Sequence, residues 1–204
     1  MHVADMKILQ LKPVQKEIGL SEAQRSQMNV AADAERSQAQ AEYKRTSGKP
    51  DPKKMRVYYG TLRVKVFAIL TSGQLHRLAQ LTLQETGLVA LADQEVATAV
   101  GLSSGQLKKI RDTIVNQTKA FDSAEGSAKR PIFNKYKGMK PKNKAEGEAL
   151  QKQFTQELQA ADAQLRPQVR AIMKKGTADI LGILTPDQKA KWKQILGKTF
   201  VPSR

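Results

Sequence analysis

Apolar residues recur along the chain at helical intervals. Between residues 150 and 183 they return every three or four positions, which predicts one long amphipathic helix bent at Pro167. Asp51 and Pro52 are typical of the cap and first residue of a second helix. The predicted apolar face of that helix consists of Met55, Tyr59, Leu62, Val66 and Leu70.

A short phrase predicts four further helix starts. It consists of Leu, Ser or Thr, two variable residues and Gln, with an apolar residue eight positions after the leucine. The hydroxyl accepts from the amide three residues on, and the Gln side chain reaches back to the cap residue, a capping box worth about 1 kcal/mol. Pro186 suits a first helical position. The copies are Leu20, Ser21, Gln24 and Met28; Leu70, Thr71, Gln74 and Leu78; Leu102, Ser103, Gln106 and Ile110; and Leu184, Thr185, Gln188 and Trp192.

The flanks of the phrase indicate a tandem duplication. Gly and Ile alternate before the leucine, and Val14 and Ile18 correspond to Val96 and Val100, 82 residues on. We therefore predict one helical unit over residues 1–87 and a second over 88–204, packed as one structural domain. Each unit contains a helix, a turn and a second helix, with the turns expected over residues 46–50 and 126–141.

Composition supports an all-α chain and limits its chemistry. Only 5% of the 204 residues are aromatic, which suits long thin helices better than a thick core. Cysteine is absent, so disulfides and thiolate chemistry are excluded. No apolar run reaches the roughly 18 residues of a membrane span. The first ten residues lack the apolar region of a signal peptide, so we expect that the leader of an exported protein is already absent from this sequence.

The net charge of +16 is concentrated in two windows. Residues 44–65 contain eight basic residues and one acid, and residues 129–144 contain seven basic residues and no acid. Both windows occupy the same place in their unit, with apolar residues interleaved, which favours binding of acidic chains. Solvation of the turns is the simpler interpretation. The predicted client-binding residues are Lys44, Arg45, Lys53, Lys54, Arg56, Tyr58, Tyr59, Arg63, Lys65, Lys129, Arg130, Phe133, Lys135, Tyr136, Lys137, Lys140, Lys142 and Lys144.

The residues give no candidate for catalysis. The sequence contains no P-loop, dinucleotide-binding, nucleophile-elbow or HExxH motif. His2 and His76 are far apart without carboxylates around them, so a metal site is not expected, and His76 is predicted to be exposed in the first turn of a helix. We expect a protein that is not an enzyme and that uses no cofactor.

The LS-x-x-Q phrase and ILTPDQKAKW resemble the LTXXQ-motif family of bacterial envelope proteins (Spy- and CpxP-like). The resemblance implies an all-α, cradle-shaped, exported protein with a basic concave face that holds unfolded clients without ATP. Members of this family pair as antiparallel homodimers. Two hairpin units in one chain are then expected to form an elongated, cradle-like pseudo-dimer. The second unit's long turn and the two Ser copies depart from the family pattern.

Three functional hypotheses remain at the level of the sequence. The first is a periplasmic or otherwise exported chaperone-like or envelope-stress binding protein, either monomeric or homodimeric, whose clients are unfolded or acidic polypeptides. The second is a basic nucleic-acid-binding helical protein, with tyrosines stacking on bases. The third is a regulatory partner of a membrane sensor or anionic surface.

Overall fold

Helices make up the fold of residues 3–201, which the computed structural model describes. No strand occurs within that range, so the predicted all-α class is confirmed. The α-helices are α1 Met6–Leu9, α2 Lys12–Glu17, α3 Glu22–Arg45, α4 Pro52–Ile69, α5 Ser72–Thr86, α6 Gln94–Val100, α7 Ser104–Tyr136, α8 Lys144–Ile183 and α9 Pro186–Leu196, with a 3₁₀ helix at Gly87–Ala92.

All four predicted capping boxes are present. Ser21, Thr71, Ser103 and Thr185 each accept from the backbone amide of the Gln three residues on, at 3.1 to 3.3 Å. Each Gln side chain in turn accepts from the cap residue's own amide, at 3.0 to 3.1 Å. The phrase therefore fixes where α3, α5, α7 and α9 begin. Asp51 also caps α4 as predicted, accepting from the Lys53 amide at 2.8 Å.

The described chain divides into two compact units. The first comprises residues 3–87 and 192–201, and the second comprises residues 88–191. The sequence-based division into residues 1–87 and 88–204 stays a prediction, and it differs from this one in placing residues 192–201 with the second unit. Gln84 explains the difference, because its side-chain amide donates to the carbonyls of Leu196 and Lys198 and accepts from the Phe200 amide.

The first unit has its core around α5. Leu78 and Leu83 are the most deeply buried of its large side chains, and Val14, Ile18 and Leu20 pack from the N-terminal segment. The antiparallel helices α3 and α4, with the turn between them, extend from this core and are named the first arm. The turn follows Thr46, as predicted.

The second unit has its core where the 3₁₀ helix and α6 meet the ends of a longer helical pair. Leu91, Val96, Val100, Ile110 and Ile180 are almost completely buried there. The antiparallel helices α7 and α8, with the turn between them, are named the second arm. With 33 and 40 residues, these helices extend about 50 and 60 Å.

The predicted turn over residues 126–141 is wrong in its first half. Helix α7 continues through Pro131 to Tyr136, and the turn lies between Tyr136 and Lys144. Ala124 is buried, and Tyr136 packs against Phe154 of α8. Packing between α7 and α8 therefore stabilises the helix by more than the backbone hydrogen bond that Pro131 cannot make would contribute. Helix α8 likewise continues through Pro167.

Matching backbone geometry precedes α3 and α7. Gly19 and Gly101 both have positive φ, 64° and 79°, at the ends of α2 and α6. The amide of the following leucine donates to the carbonyl five residues earlier, Leu20 to Gln15 and Leu102 to Ala97, each at 2.9 Å. This helix ending favours glycine, because other residues adopt positive φ at a cost. The correspondence is what a duplication predicts, while the cradle-like pseudo-dimer stays a prediction.

Candidate functional site

The capping glutamines form a reciprocal pair in the first unit. Nε2 of Gln24 donates to Oε1 of Gln74 at 2.7 Å, and Nε2 of Gln74 donates back to Oε1 of Gln24 at 3.0 Å. The side-chain amide of each Gln also donates its second hydrogen to a backbone carbonyl, which lies two residues before the Ser or Thr that caps the partner's helix. Gln24 donates to the carbonyl of Ile69 at 3.0 Å, and Gln74 donates to that of Gly19 at 3.1 Å.

The second unit repeats this arrangement. Gln106 and Gln188 donate to each other at 2.8 and 3.0 Å. Gln106 also donates to the carbonyl of Ile183 at 2.9 Å, and Gln188 to that of Gly101 at 2.7 Å. Each pair joins the two helix starts at the base of its arm.

The glutamine pairs do more than cap helices. Each side-chain amide uses both hydrogens and accepts twice, once from its own cap residue and once from its partner. Glu would also serve in a capping box, but it has no amide hydrogens to donate. The presence of Gln at all four positions was the sequence signal for this cross-connection, which the cap interpretation missed.

The leucines of the motif contribute to the core rather than to the caps. Leu20, Leu70 and Leu184 are buried and Leu102 is half-buried. A leucine side chain has no polar atom with which to bond a helix end, so the Ser or Thr and the Gln of each phrase make the capping hydrogen bonds. Their apolar partners Leu78, Ile110 and Trp192 are also buried.

Three cations of the first basic window are neutralised by acids that precede it. Arg45 and Lys54 contact Glu42 at 2.6 and 3.4 Å, and Lys65 contacts Glu35 at 2.6 Å. Glu35 and Glu42 are 3% and 5% exposed, and they lie one heptad apart on the side of α3 that faces α4. The hydrogen bond from Arg45 is the main cause that lowers the pKa of Glu42 to about 2.

The remaining cations of the first window surround the turn of the arm, except for Arg63. The Arg63 guanidinium stacks over the ring of Phe67 at 4.9 Å, near the base. The four cations of the window that remain besides Arg63 are exposed to solvent. These four have no ion pair to any residue in the described range. We name the set the first tip: Lys44, Lys49, Lys53 and Arg56.

Exposed apolar groups accompany the first tip. Tyr59 and Val57 on α4 are 61% and 63% exposed. Tyr58, by contrast, is half-buried. The predicted inward position of Tyr59 was wrong, because the spacing from Met55 to Leu62 places Tyr58 on the inner face.

The second basic window also loses part of its charge to acids outside it. Lys129 lies between Glu125 and Asp162, 2.8 Å from each, and the hydrogen bond to Asp162 is the main cause that raises its pKa. Lys135 contacts Glu157, which raises the pKa of the lysine. Lys144 is 3.9 Å from Glu148.

The other four cations of this window have no ion pair within residues 3–201. All four are exposed, and three of them lie in the turn between α7 and α8. We name the set the second tip: Arg130, Lys137, Lys140 and Lys142. A net charge counted along the sequence therefore overstates both windows, and within the windows the cations without acidic partners lie mostly toward the ends of the arms.

An aromatic cluster lies beside the second tip. Phe154 makes edge-on contacts with Phe133 and Tyr136, with ring centres 5.7 and 5.2 Å apart. The Tyr136 hydroxyl donates to Glu157 at 3.0 Å, and burial is the main cause that raises its pKa. Phe133 remains 52% exposed. The sequence missed Phe154 and Glu157 as part of this site, since both come from α8, outside the basic window.

An apolar groove adjoins this cluster. Its volume is about 270 Å³, and Tyr136, Met139, Leu150 and Phe154 contribute its apolar walls. Met139 is about half exposed. The second tip thus combines cations without acidic partners and a shallow apolar surface.

Residues 3–201 contain no group of three or more His, Cys, Asp or Glu side chains arranged to hold a metal ion. His76 is exposed on α5, where its ring nitrogen lies 3.1 Å from the Gln80 side-chain amide. His2 lies outside the described residues. None of the helices in that range is long and apolar enough to cross a membrane.

Comparison with known proteins gives no relative. No protein-family model matches the chain, and neither a curated protein nor a solved structure is significantly similar to it. The resemblance to the LTXXQ-motif family stays a prediction.

Proposed function

We propose that the protein is an ATP-independent, chaperone-like binding protein that holds partly unfolded or acidic polypeptides at the tips of its two arms. One observation carries the proposal: each tip has four exposed cations without acidic partners beside exposed apolar side chains. Cations that only needed solvation would not require uncovered aromatic rings next to them.

The combination suits transient capture. Cations without acidic partners attract an acidic chain over roughly a Debye length, about 8 Å at physiological salt. Phe133, Met139 and Tyr59 then supply small apolar contacts. Because these apolar contacts are limited and half-exposed, each site binds weakly and releases its client readily. Charge sets the encounter rate, and the apolar contacts set the dissociation rate.

We further propose that the protein works outside the cytoplasm. Support comes from the capping phrase, which resembles the LTXXQ-motif envelope proteins. A pseudo-dimer that presents both tips to one client belongs to the same proposal, as does docking to a membrane sensor.

Charge-removal variants test the proposal. The first-tip and second-tip cations are replaced by Gln, separately and together, in the full-length chain. Protection of chemically reduced α-lactalbumin, an acidic client, is followed by light scattering. We expect each single-tip variant to weaken protection and the combined variant to weaken it roughly tenfold, with wild-type activity falling similarly in high salt.

The control removes the same charge elsewhere. Lys7, Lys12, Lys16 and Lys198 are exposed, lie outside both windows and have no ion pair within the described range, so their replacement by Gln matches one tip variant. Protection should remain close to wild type. An equal loss in this control would show that net charge, rather than the tips, accounts for binding. Tighter binding of a single-stranded oligonucleotide than of any client would favour the nucleic-acid hypothesis instead.

A further inference from the structure

The groove beside the second tip has the size of a single side chain. Its volume of about 270 Å³ is below the roughly 300–1,000 Å³ of small-molecule sites, so it is too small for an extended apolar segment. Tyr136, Met139 and Pro141 line it from the end of α7 and the turn, and Leu150 and Phe154 line it from α8. None of the described residues that line the groove is charged. A large apolar side chain of a bound polypeptide therefore suits it.

Contacts within the tip hold the walls of the groove in place. On one side, Phe154 packs edge-on against Tyr136 with ring centres 5.2 Å apart, and the Tyr136 hydroxyl donates to Glu157 at 3.0 Å. On the other side, the Lys142 amide donates to the Glu146 carboxylate at 2.6 Å, which fixes the turn against the start of α8. The groove therefore belongs to the folded tip and does not require a partner to form.

Cations lie beside the groove, and the acids that hold its walls already have partners. Glu146 accepts from the backbone of the turn, and Glu157 is paired with Lys135. Three second-tip lysines lie in the same turn, exposed and without an ion pair in residues 3–201: Lys137, Lys140 and Lys142. Because these lysines have no acidic partner in the described chain, they favour acidic residues on either side of the side chain that fills the groove.

We propose that the second tip binds a short acidic segment of a polypeptide through one large apolar side chain. That side chain enters the groove, while acidic residues next to it contact the lysines of the turn. The inference rests on the proposed function and deepens it, since it names the feature of a client that this tip recognises. An acidic segment without the apolar side chain, or an apolar segment without acids, makes only half of these contacts and binds more weakly.

Labelled peptides test this inference with the full-length protein. The reference peptide has one phenylalanine between two pairs of aspartates, with glycine and serine at its ends. In two further peptides, alanine replaces the phenylalanine or asparagine replaces the aspartates. Fluorescence anisotropy should show that the reference peptide binds roughly tenfold more tightly than either of them. Equal binding of the phenylalanine and alanine peptides would overturn the inference.

Two substitutions on α8 provide a matched pair of variants. Gly147 lines the groove, and a Cβ there would lie 3.5 Å from Cγ of Pro141, an ordinary contact, so Gly147→Leu puts an apolar side chain into the groove. This variant should lose the preference for phenylalanine over alanine. Ala149→Leu adds the same side chain at an exposed position that does not line the groove, and it should keep the preference.

A further variant covers the case in which Gly147→Leu does not fold. Met139→Ser removes an apolar wall from the exposed turn and should reduce the preference for phenylalanine. An undiminished preference in Met139→Ser or in folded Gly147→Leu would reject the groove as the site.

Failure of this inference can be told apart from failure of the proposed function. If α-lactalbumin is protected while the phenylalanine and alanine peptides bind equally, charge alone holds clients and only this inference is rejected. If the phenylalanine peptide is preferred but no client is protected, the groove is confirmed as a peptide site and the chaperone-like function is rejected. Tighter binding of a single-stranded oligonucleotide than of the reference peptide would reject both.

Discussion

The two arms differ in what lies between their helices. From Val30 to Lys65 in the first arm, Glu35 and Glu42 are the only buried residues, and cations from both helices neutralise them. In the second arm the corresponding interface contains Ala124, Ala161 and Leu165. Both arms have ion pairs between their helices, but the buried side chains are acids in the first arm and apolar residues in the second. Both arms nevertheless begin from the same reciprocal glutamine pair.

This difference shows that the base and the arm are specified separately. The base depends on hydrogen bonds of fixed geometry, which the motif supplies in both units. The two helices of an arm need only a net attraction along their length. Ion pairs supply it in the first arm, and packing of leucine against alanine supplies it in the second. We therefore expect the first arm to respond to solution conditions and the second to respond to changes in side-chain volume.

The largest expected effect is in the second arm. Leu165→Ala removes a buried side chain and leaves a cavity, so it should lower the free energy of unfolding by about 2–5 kcal/mol. Urea denaturation measures the loss, and hydrogen exchange locates it in α7 and α8. Ala163→Ser, at an exposed position on the same helix, is the control. A cost below about 0.5 kcal/mol would contradict apolar packing as the basis of this arm.

An intermediate effect is expected at the base. Gln106→Glu keeps an acceptor for the capping box but turns a carboxylate oxygen toward the Ile183 carbonyl, so it should cost about 1–3 kcal/mol. Gln24→Glu should cost a similar amount in the first unit, since its partners match. Urea denaturation measures both variants. If Glu is tolerated without loss, the glutamines act only as caps.

The smallest expected effect is the acid sensitivity of the first arm. The pKa of Glu42 is lowered from 4.5 to about 2, so its contribution to stability is complete above pH 4.5 and is lost as the pH falls toward 2. Thermal unfolding followed from pH 6 to pH 2 should show a decline that is smaller in Glu42→Gln than in wild type. The same decline in both proteins would assign acid sensitivity to other carboxylates.

The sequence predicted those features that depend on neighbouring residues. The capping boxes, the Asp51 cap and the turn after Thr46 follow from local backbone chemistry, which a few letters specify. Packing between distant segments was not predictable in the same way. Pro131 reads locally as a helix break, and only the contact of Tyr136 with Phe154, 18 residues on, shows why the helix continues.

The candidate site was predicted only in part, for a related reason. Counting charge along the chain located both basic windows. It could not show that two acids outside the first window, Glu35 and Glu42, form ion pairs with three of its cations. In the first arm these ion pairs join residues up to 30 positions apart. The two tips are defined by the cations of the windows that have no ion pair in the folded chain, which the sequence alone does not show.

The reciprocal glutamines have one more consequence. An amide gains or loses no proton across the range in which proteins stay folded, and its attraction for another amide is hardly weakened by dissolved ions. The stability of a molecule with so high a positive charge would be expected to change throughout the fold with pH and with salt concentration. We expect the glutamine pairs at the bases of the arms to keep their hydrogen bonds when pH or salt concentration changes. Only the ion pairs along the arms should weaken.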